Sequence, residues 1–544
     1  MQRIKVRYSV VALLMLFSIF GSAMTPARVS AQRGTTDATA SRSQYLADAG
    51  IIPAADNIVV EEMINYHHHH LTSPQSGEAV ALDVRWGNPL MYQSYPEAIL
   101  QVGFTTHMVA SKRRSQLRPL NLALVIDCSG SMAESDKLIR VKEALITMIA
   151  QLRDIDIVSI ITYSSGAAVL WPAQPLHNRL ALQQAIATLT PDGSTNLHAG
   201  LMLGYKEASK YFHKDTTNRV ILLTDGIANT GVVDPNRILG DSLNFVNRGI
   251  DLATIGVGLN LNEDLLRRLA REGRGLYHFV ADAKDIKKVF VKELESLLSP
   301  VARDVLLEIT YDGDLTLEHL FGYRPKFTNN KLTLALDDMN NGLTQVVIMK
   351  FGLKNRRSAK LRLPVKVELS YFDIDENKTV VKTNESFVTL TADRPVASID
   401  GGKPTTVSNN GHNSNNGSYF DSEMEVEIAK TNQGVTVANG ISPDDIVKIK
   451  QVRDKFAVSY LDILKDDEVR KNYTIACLAQ TMREMAHFWE KRSFVAAQYL
   501  VDTAVNETVI LSPVQADKDV TYVLDIVRKY QDAMTKFNQQ PRTF

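Results

Sequence analysis

Residues 122–126, 157–162, 220–223 and 252–257 are short apolar runs, separated by amphipathic stretches of helical period at 137–152, 179–189, 197–212, 236–246 and 263–271. A strand that is apolar on both faces has to be covered twice, and strands that alternate with helices pair in parallel. Residues 119–299 are therefore predicted to form a doubly wound α/β domain, a parallel sheet with helices on both faces. On either side of this region the period changes to two. Apolar and polar positions alternate at 79–85 and 98–109 before it, and at 304–311, 331–336, 345–351, 361–371 and 379–390 after it. Turn signals such as Asp312-Gly313-Asp314 and Asp375-Glu376-Asn377-Lys378 separate the later runs. These strands predict an antiparallel β-sandwich built from 79–118 and 300–395, with the α/β domain inserted in it. Two independent β modules flanking the domain are the alternative.

Toward the end of the chain the pattern becomes helical again. Residues 396–434 contain the tract SNNGHNSNNGS at 408–418, a low-complexity linker that cannot form a core. Residues 435–544 read as an α-helical module. Ser442-Pro443-Asp444-Asp445 has the form of a helix start, and Ile446, Ile449, Val452, Phe456, Tyr460 and Ile463 follow at helical spacing. Further helical patterns run over 473–505 and 520–537.

The beginning of the chain carries a different signal. Arg3, Lys5 and Arg7 precede an apolar stretch at 10–20 and then small residues ending in Val29-Ser30-Ala31, the order of a secretory signal peptide over 1–31. That stretch is too short for the ~20 residues of a spanning helix, and no later segment is long and apolar enough to cross a bilayer. Residues 32–78 are expected to hold a flexible N-terminus, unpacked over 32–43, and a short helix near 59–66. The run His67 to His70 is read as solvated or partner-facing, because four adjacent imidazoles point in different directions.

Composition narrows the function. Lys plus Arg and Asp plus Glu are equal at 61 each, for a formal net charge of zero, so there is no electrostatic reason to expect sequence-independent nucleic-acid binding. With two cysteines, Cys128 and Cys477, in segments assigned to different domains, a disulfide framework is absent and two buried thiols are expected. Gly256-Val257-Gly258 follows a strand but lacks the third glycine of a dinucleotide fingerprint, and no P-loop, His-Glu-x-x-His or Gly-x-Ser-x-Gly motif occurs.

One constellation carries chemistry. The run 122–126 ends in Asp127-Cys128-Ser129-Gly130-Ser131, which places three oxygen side chains where ligands of open α/β sheets sit, beyond the carboxyl ends of strands. Thr195, in Asp192-Gly193-Ser194-Thr195-Asn196, and Asp225, in Leu222-Leu223-Thr224-Asp225-Gly226, add two more. Oxygen donors without His or Cys suit a hard cation such as Mg2+. The bland reading of each motif alone is a helix cap or a turn residue.

Asp127, Ser129, Ser131, Thr195 and Asp225 together resemble the metal-ion-dependent adhesion site of von Willebrand factor type A domains, whose pattern is Asp-x-Ser-x-Ser, then Thr, then Asp. The resemblance covers 121–298 and implies that Ser129, Ser131 and Thr195 touch the metal (Mg2+, with Mn2+ or Ca2+ possible) while Asp127 and Asp225 act mainly through bound waters. A dication held largely by neutral hydroxyls keeps charge to spare, so a partner's Asp or Glu carboxylate can replace one of its waters. The segment Val60-Glu61-Glu62-Met63-Ile64-Asn65-Tyr66 is similar, more loosely, to one that precedes such domains in a bacterial group of exported proteins. The leading expectation is an exported, non-enzymatic adhesion or envelope-assembly protein of the periplasm, cell surface or extracellular space. The resemblance also suggests that the last helix of the domain, running into the sandwich at Pro300, couples the site to its neighbours. Two rivals use the same domain or ion. A metal-assisted hydrolase needs a general base besides the two acids given to the metal, and a chaperone-like subunit working with an ATPase needs cytosolic ATP.

Overall fold

The computed structural model describes residues 38–93, 96–107, 118–298, 300–354, 360–391, 447, 449, 463–510 and 517–539. The signal peptide expected at 1–31, the linker at 396–434 and most of the helix expected from Ile446 to Ile463 lie outside the described residues.

The described chain opens with α1 (Ala38–Asp48) and α2 (Val60–Ile64), then β1 (Val80–Trp86), β2 (Leu90–Tyr92) and β3 (Glu97–Thr106). An α/β insertion follows: β4 (Leu120–Asp127), α3 (Lys137–Gln151), β5 (Ile157–Tyr163), β6 (Ala167–Pro175), α4 (Arg179–Ala187), α5 (Leu197–Lys210), β7 (Thr217–Thr224), α6 (Pro235–Val246), β8 (Asp251–Val257), α7 (Glu263–Glu272), β9 (Arg274–Val280) and α8 (Ile286–Leu298). Next come β10 (Pro300–Tyr311), β11 (Leu315–Leu320), β12 (Lys326–Thr328), β13 (Lys331–Ala335), β14 (Met339–Asn340), β15 (Thr344–Leu353), β16 (Arg362–Asp373) and β17 (Lys378–Thr391). Three tail helices, Asp467–Glu490, Phe494–Ile510 and Lys518–Gln539, complete it. Among the described residues no helix is long and apolar enough to cross a membrane.

In the insertion the strand order is β6-β5-β4-β7-β8-β9. β4 is buried at every position, as a central strand covered on both faces must be. Helix α3 turns Leu138, Val141, Leu145, Met148 and Ile149 inward at three- and four-residue spacing. Asn178, Asn196, Asp234 and Asn262 each accept a backbone N–H in the first turn of α4, α5, α6 and α7, caps worth ~1 kcal/mol apiece. The sheet is not wholly parallel. The edge strand β6, absent from the sequence reading, runs antiparallel to β5.

The flanking strands form one sandwich rather than two modules. A four-stranded sheet, β1-β3-β15-β11, faces a sheet of order β12-β13-β10-β16-β17-β2. Strand β3, which precedes the insertion, pairs with β15, which follows it, from Thr105 opposite Thr344 to Glu97 opposite Gly352. Leu100, Val102 and Phe104 of β3 share a core with Leu307, Ile309, Met349 and Leu369.

Two expectations fail against this architecture. The segment 32–43 was expected to pack on nothing, yet α1 begins at Ala38 and buries Ala38, Thr39, Ala40, Arg42, Ser43, Leu46 and Ala47. Its small side chains permit close approach without a strong apolar stripe. The tail is helical, as expected, and it packs on the sandwich: Ile99, Val346 and Ile348, on the outer face of the four-stranded sheet, share a core with Met63 and Ile64 of α2 and with Val469, Tyr473 and Met482. Cys477 is buried in that core, and neither Cys128 nor Cys477 forms a disulfide. His67 to His70 is not a solvated run. Alternate side chains turn inward: His69 is 0% exposed and its Nε2 pairs with Asn65 Oδ1 at 2.9 Å, while His68 and His70 face solvent.

Buried ionisable groups in this shared core set a pH dependence. Burial raises the Glu61 carboxyl from its ordinary 4.5 to about 8. The folded chain keeps a proton that the unfolded chain releases, so this contribution falls as pH rises through that window. His67 and His69 are held below their ordinary 6.5 by burial, so below that pH the unfolded chain takes up protons that the fold refuses, and stability falls. The opposed slopes of these three groups cancel at about pH 6.5, where their combined contribution has its maximum. Scanning calorimetry across acid and alkaline buffers should find that maximum, and Glu61→Gln should flatten the alkaline side. An unchanged alkaline slope in the variant would contradict the assignment.

Candidate metal centre

Strand β4 delivers Asp127 to its carboxyl end with 0% exposure. The Ser129 backbone N–H donates to its Oδ1 at 2.8 Å, and the Thr224 and Tyr163 hydroxyls donate to its Oδ2 at 2.8 and 3.2 Å. Burial raises this carboxyl above the ordinary carboxylate range, against the donors from Ser129 and Thr224. The chain then turns, and two loops are pinned to each other: Asp192 N–H donates to Cys128 C=O at 2.7 Å and Gly130 N–H to Gly193 C=O at 3.0 Å.

Hydroxyls line the result. Ser129 Oγ lies 3.1 Å from Ser131 Oγ, which donates to Asp225 Oδ1 at 2.7 Å. Thr195, in the second loop, is 4% exposed and is held by Asn229, whose Oδ1 accepts its N–H at 2.8 Å and whose N–H donates to its C=O at 3.1 Å. A Cβ placed on Gly226 would meet Thr195 Oγ1 at 3.6 Å, so this hydroxyl faces the Asp225-Gly226 turn. The structure thus joins Asp127, Ser129, Ser131 and Asp225 in one contiguous cluster and seats Thr195 beside it. The donors fit a hard cation in chemistry: hydroxyl and carboxylate oxygens, with no imidazole or thiolate directed among them. Cys128 lies in this loop, but burial pushes its thiol up to about 12, far from a reactive thiolate. An open depression of about 430 Å³ bordered by Cys128, Tyr163, Ser164, Thr190 and Asp192 adjoins the loops.

Sequence reasoning missed four residues here. Tyr163, Thr224 and Asn229 hold the cluster in place, and nothing in their local pattern marks them. Lys137 is different: its Nζ lies 2.8 Å from Asp225 Oδ2 and 3.4 Å from Ser131 C=O. It stands at the first position of α3, where the helix dipole disfavours a cation, and that misplacement was a legible signal. Ser135 and Asp136 bring it there in left-handed conformation, φ 51° and 58°, a strained turn for residues other than glycine.

Residues 121–292 match the profile of the von Willebrand factor type A domain. The chain is 30% identical over 300 residues to YfbK of Escherichia coli (strain K12), covering 54% of this chain and 50% of that protein. It is 30% identical over 232 residues to sll0103 of Synechocystis sp., covering 42% and 53%. It is 29% identical over 208 residues to inter-alpha-trypsin inhibitor heavy chain H3 of Homo sapiens, covering 37% and 23%. The chain spans about half or less of the length of these relatives. Among solved structures, the von Willebrand factor type A protein from Catenulispora acidiphila aligns at a TM-score of 0.44 and 15% identity, over 76% of this chain and 90% of that one. The inserted domain is a von Willebrand factor type A domain, a class of protein-interaction module.

Replacing Thr224 by Val keeps the shape but removes a hydroxyl donor from a buried carboxylate. Urea unfolding should show a loss of about 1.5–3 kcal/mol, restored by Thr224→Ser. Equal stability of the Val variant and the native chain would mean that Thr224 does not hold Asp127.

Proposed function

We propose that this chain is an exported, non-enzymatic binding protein that captures an Asp or Glu side chain of a protein partner through a divalent cation. In this reading Ser129, Ser131 and Thr195 contact the ion, Asp127 and Asp225 act through bound water, and the ion is Mg2+, with Mn2+ or Ca2+ as substitutes. The observation that carries it is the disposition of Asp127. Both of its oxygens already accept protein donors, so its task is to orient the loop, and the side chains left to meet an ion are mainly neutral hydroxyls. Neutral ligands leave a dication with uncompensated charge, which a partner carboxylate can satisfy.

A hydrolytic role lacks comparable support. Asp225 is paired with Lys137 and Asp127 with hydroxyls and an N–H, so neither carboxylate stands ready as a general base. The signal-like start of the chain supports export to the periplasm, the cell surface or the extracellular space.

Calorimetric titration with Mg2+ and Mn2+ tests the ion directly. Ser131→Ala and Asp225→Asn should weaken binding by about 10- to 100-fold. Lys137→Met should tighten it by about tenfold, since it removes a unit positive charge beside Asp225. Proteins captured from envelope extracts in Mg2+ should be lost in chelator and on the Ser131→Ala variant. Capture that is equal under all these conditions would sink the mechanism, whatever the metal affinity.

A further inference from the structure

The geometry points to a second binding site, for a compact multivalent oxyanion, in the cleft where the inserted domain meets the N-terminal segment and the tail. The cleft has a volume of about 270 Å³. Five arginines line it: Arg267, Arg268 and Arg271 from α7, Arg324 from the loop after β11, and Arg483 from the first tail helix. Three acids stand against them, Asp56, Glu62 and Asp264.

Two of the arginines are already satisfied. Arg267 donates to Glu62 at 3.2 and 3.3 Å, to Glu263 at 2.9 Å and to Thr39 Oγ1 at 3.0 Å. Arg268 bonds Asn236 at 3.0 Å and approaches Asp264 at 3.5 Å. Glu62 and Asp264 are thereby engaged, and with Arg271 near Glu272, Asp56 remains for Arg324 and Arg483. Arg271 meets Glu272 at 3.8 Å, and among the described residues neither Arg324 nor Arg483 has a hydrogen bond or ion pair. Glu61, which interacts with Arg483, is raised to about 8 by burial and supplies little negative charge at neutral pH. Among the residues that line the cleft, five arginines therefore stand against three acids.

The wall holds the arginines in place. Tyr277 lines the cleft, is 5% exposed, lies 4.7 Å beneath the Arg267 guanidinium, and its buried hydroxyl has no hydrogen-bond partner. Burial holds this phenol well above its ordinary value, so the wall stays uncharged. Planar guanidinium forks match arrays of carboxylate or phosphate oxygens, and a cleft of this size admits a small polyanion rather than a folded partner. Because its walls come from three parts of the chain, a bound anion would tie them together and stabilise the assembled fold by linkage. None of these residues belongs to the metal centre, so the inference stands apart from the function proposed above.

Titration of the full chain with inorganic phosphate, pyrophosphate and citrate, against sodium chloride of matched ionic strength, tests the site. Saturable binding and a rise in melting temperature above the chloride control are expected, and the comparison of pyrophosphate with citrate identifies phosphate or carboxylate as the preferred chemistry. The double variant Arg271→Gln/Arg324→Gln should weaken that binding about tenfold or more while leaving Mg2+ binding unchanged. Should the double variant unfold, Arg324→Gln alone, at an exposed position, serves the same comparison. No saturable binding of any of the three anions, or equal binding by native and variant chains, would overturn the assignment.

Discussion

A carboxylate cut off from solvent at the end of the central strand is the constraint around which the inserted domain is built. Left unpaired in that position, Asp127 would cost several kcal/mol, and the parallel register supplies its donors. Strand β5 sets Tyr163 opposite Asp127, and β7 sets Leu223 opposite Ile126, so that Thr224 is the next residue to emerge. The ring of Tyr163 fits beneath α5 because residue 200 is glycine: a Cβ there would lie 2.5 Å from Tyr163 Cδ1. The hydroxyls that face outward are arranged by a group that is itself hidden.

The sandwich fixes this domain by both ends. β3 leads in from one sheet and β10 leads out into the other, and the pairing of β3 with β15 closes the first sheet across the insertion. The exit helix α8 carries Glu293, fully buried, which accepts from Arg219 of β7 at 3.0 Å and pairs with His278 of β9 at 2.8 Å. Burial alone would raise this carboxyl, yet His278 and Arg219 hold it below the ordinary range. Moving α8 along the sheet would separate these buried charges, at a cost of about 3–5 kcal/mol. Any coupling from the candidate site to the sandwich through this helix would have to carry β7 and β9 with it, as a body, rather than slide α8 alone.

Where the sequence was legible, a repeating environment wrote it. The strands of the inserted domain are covered on both faces and appear as apolar runs, and those of the sandwich alternate because each sheet has two unlike sides. β6 escaped notice because its side chains are half-exposed on an edge and carry no clear period. α1 escaped because close packing against its neighbours needs small residues, and Ala, Thr and Ser read as loop. The histidine run misled for a different reason: identical side chains hide a period of two that only the backbone reveals. In the candidate site the five oxygen residues stand in order along the chain, whereas Tyr163, Thr224 and Asn229 acquire their roles from register and loop contact, which a local reading does not contain.

Lys137 ties the electrostatics of the site to its proposed use. The two carboxylates of the cluster, Asp127 and Asp225, would together present two negative charges to a cation, and the ammonium 2.8 Å from Asp225 cancels one of them. A dication entering such a cluster leaves a net surplus of one positive charge, in a loop region where the other donors are neutral. Without the lysine the same ion would be neutralised by the chain, and a partner carboxylate would gain little from replacing a water. The helix dipole disfavours a cation at this end of α3, reached through two left-handed residues, but its ion pair with the buried Asp225 carboxylate offsets that cost. Under the proposed function the same ammonium would lower the affinity for the ion while leaving it charge with which to attract an acidic partner.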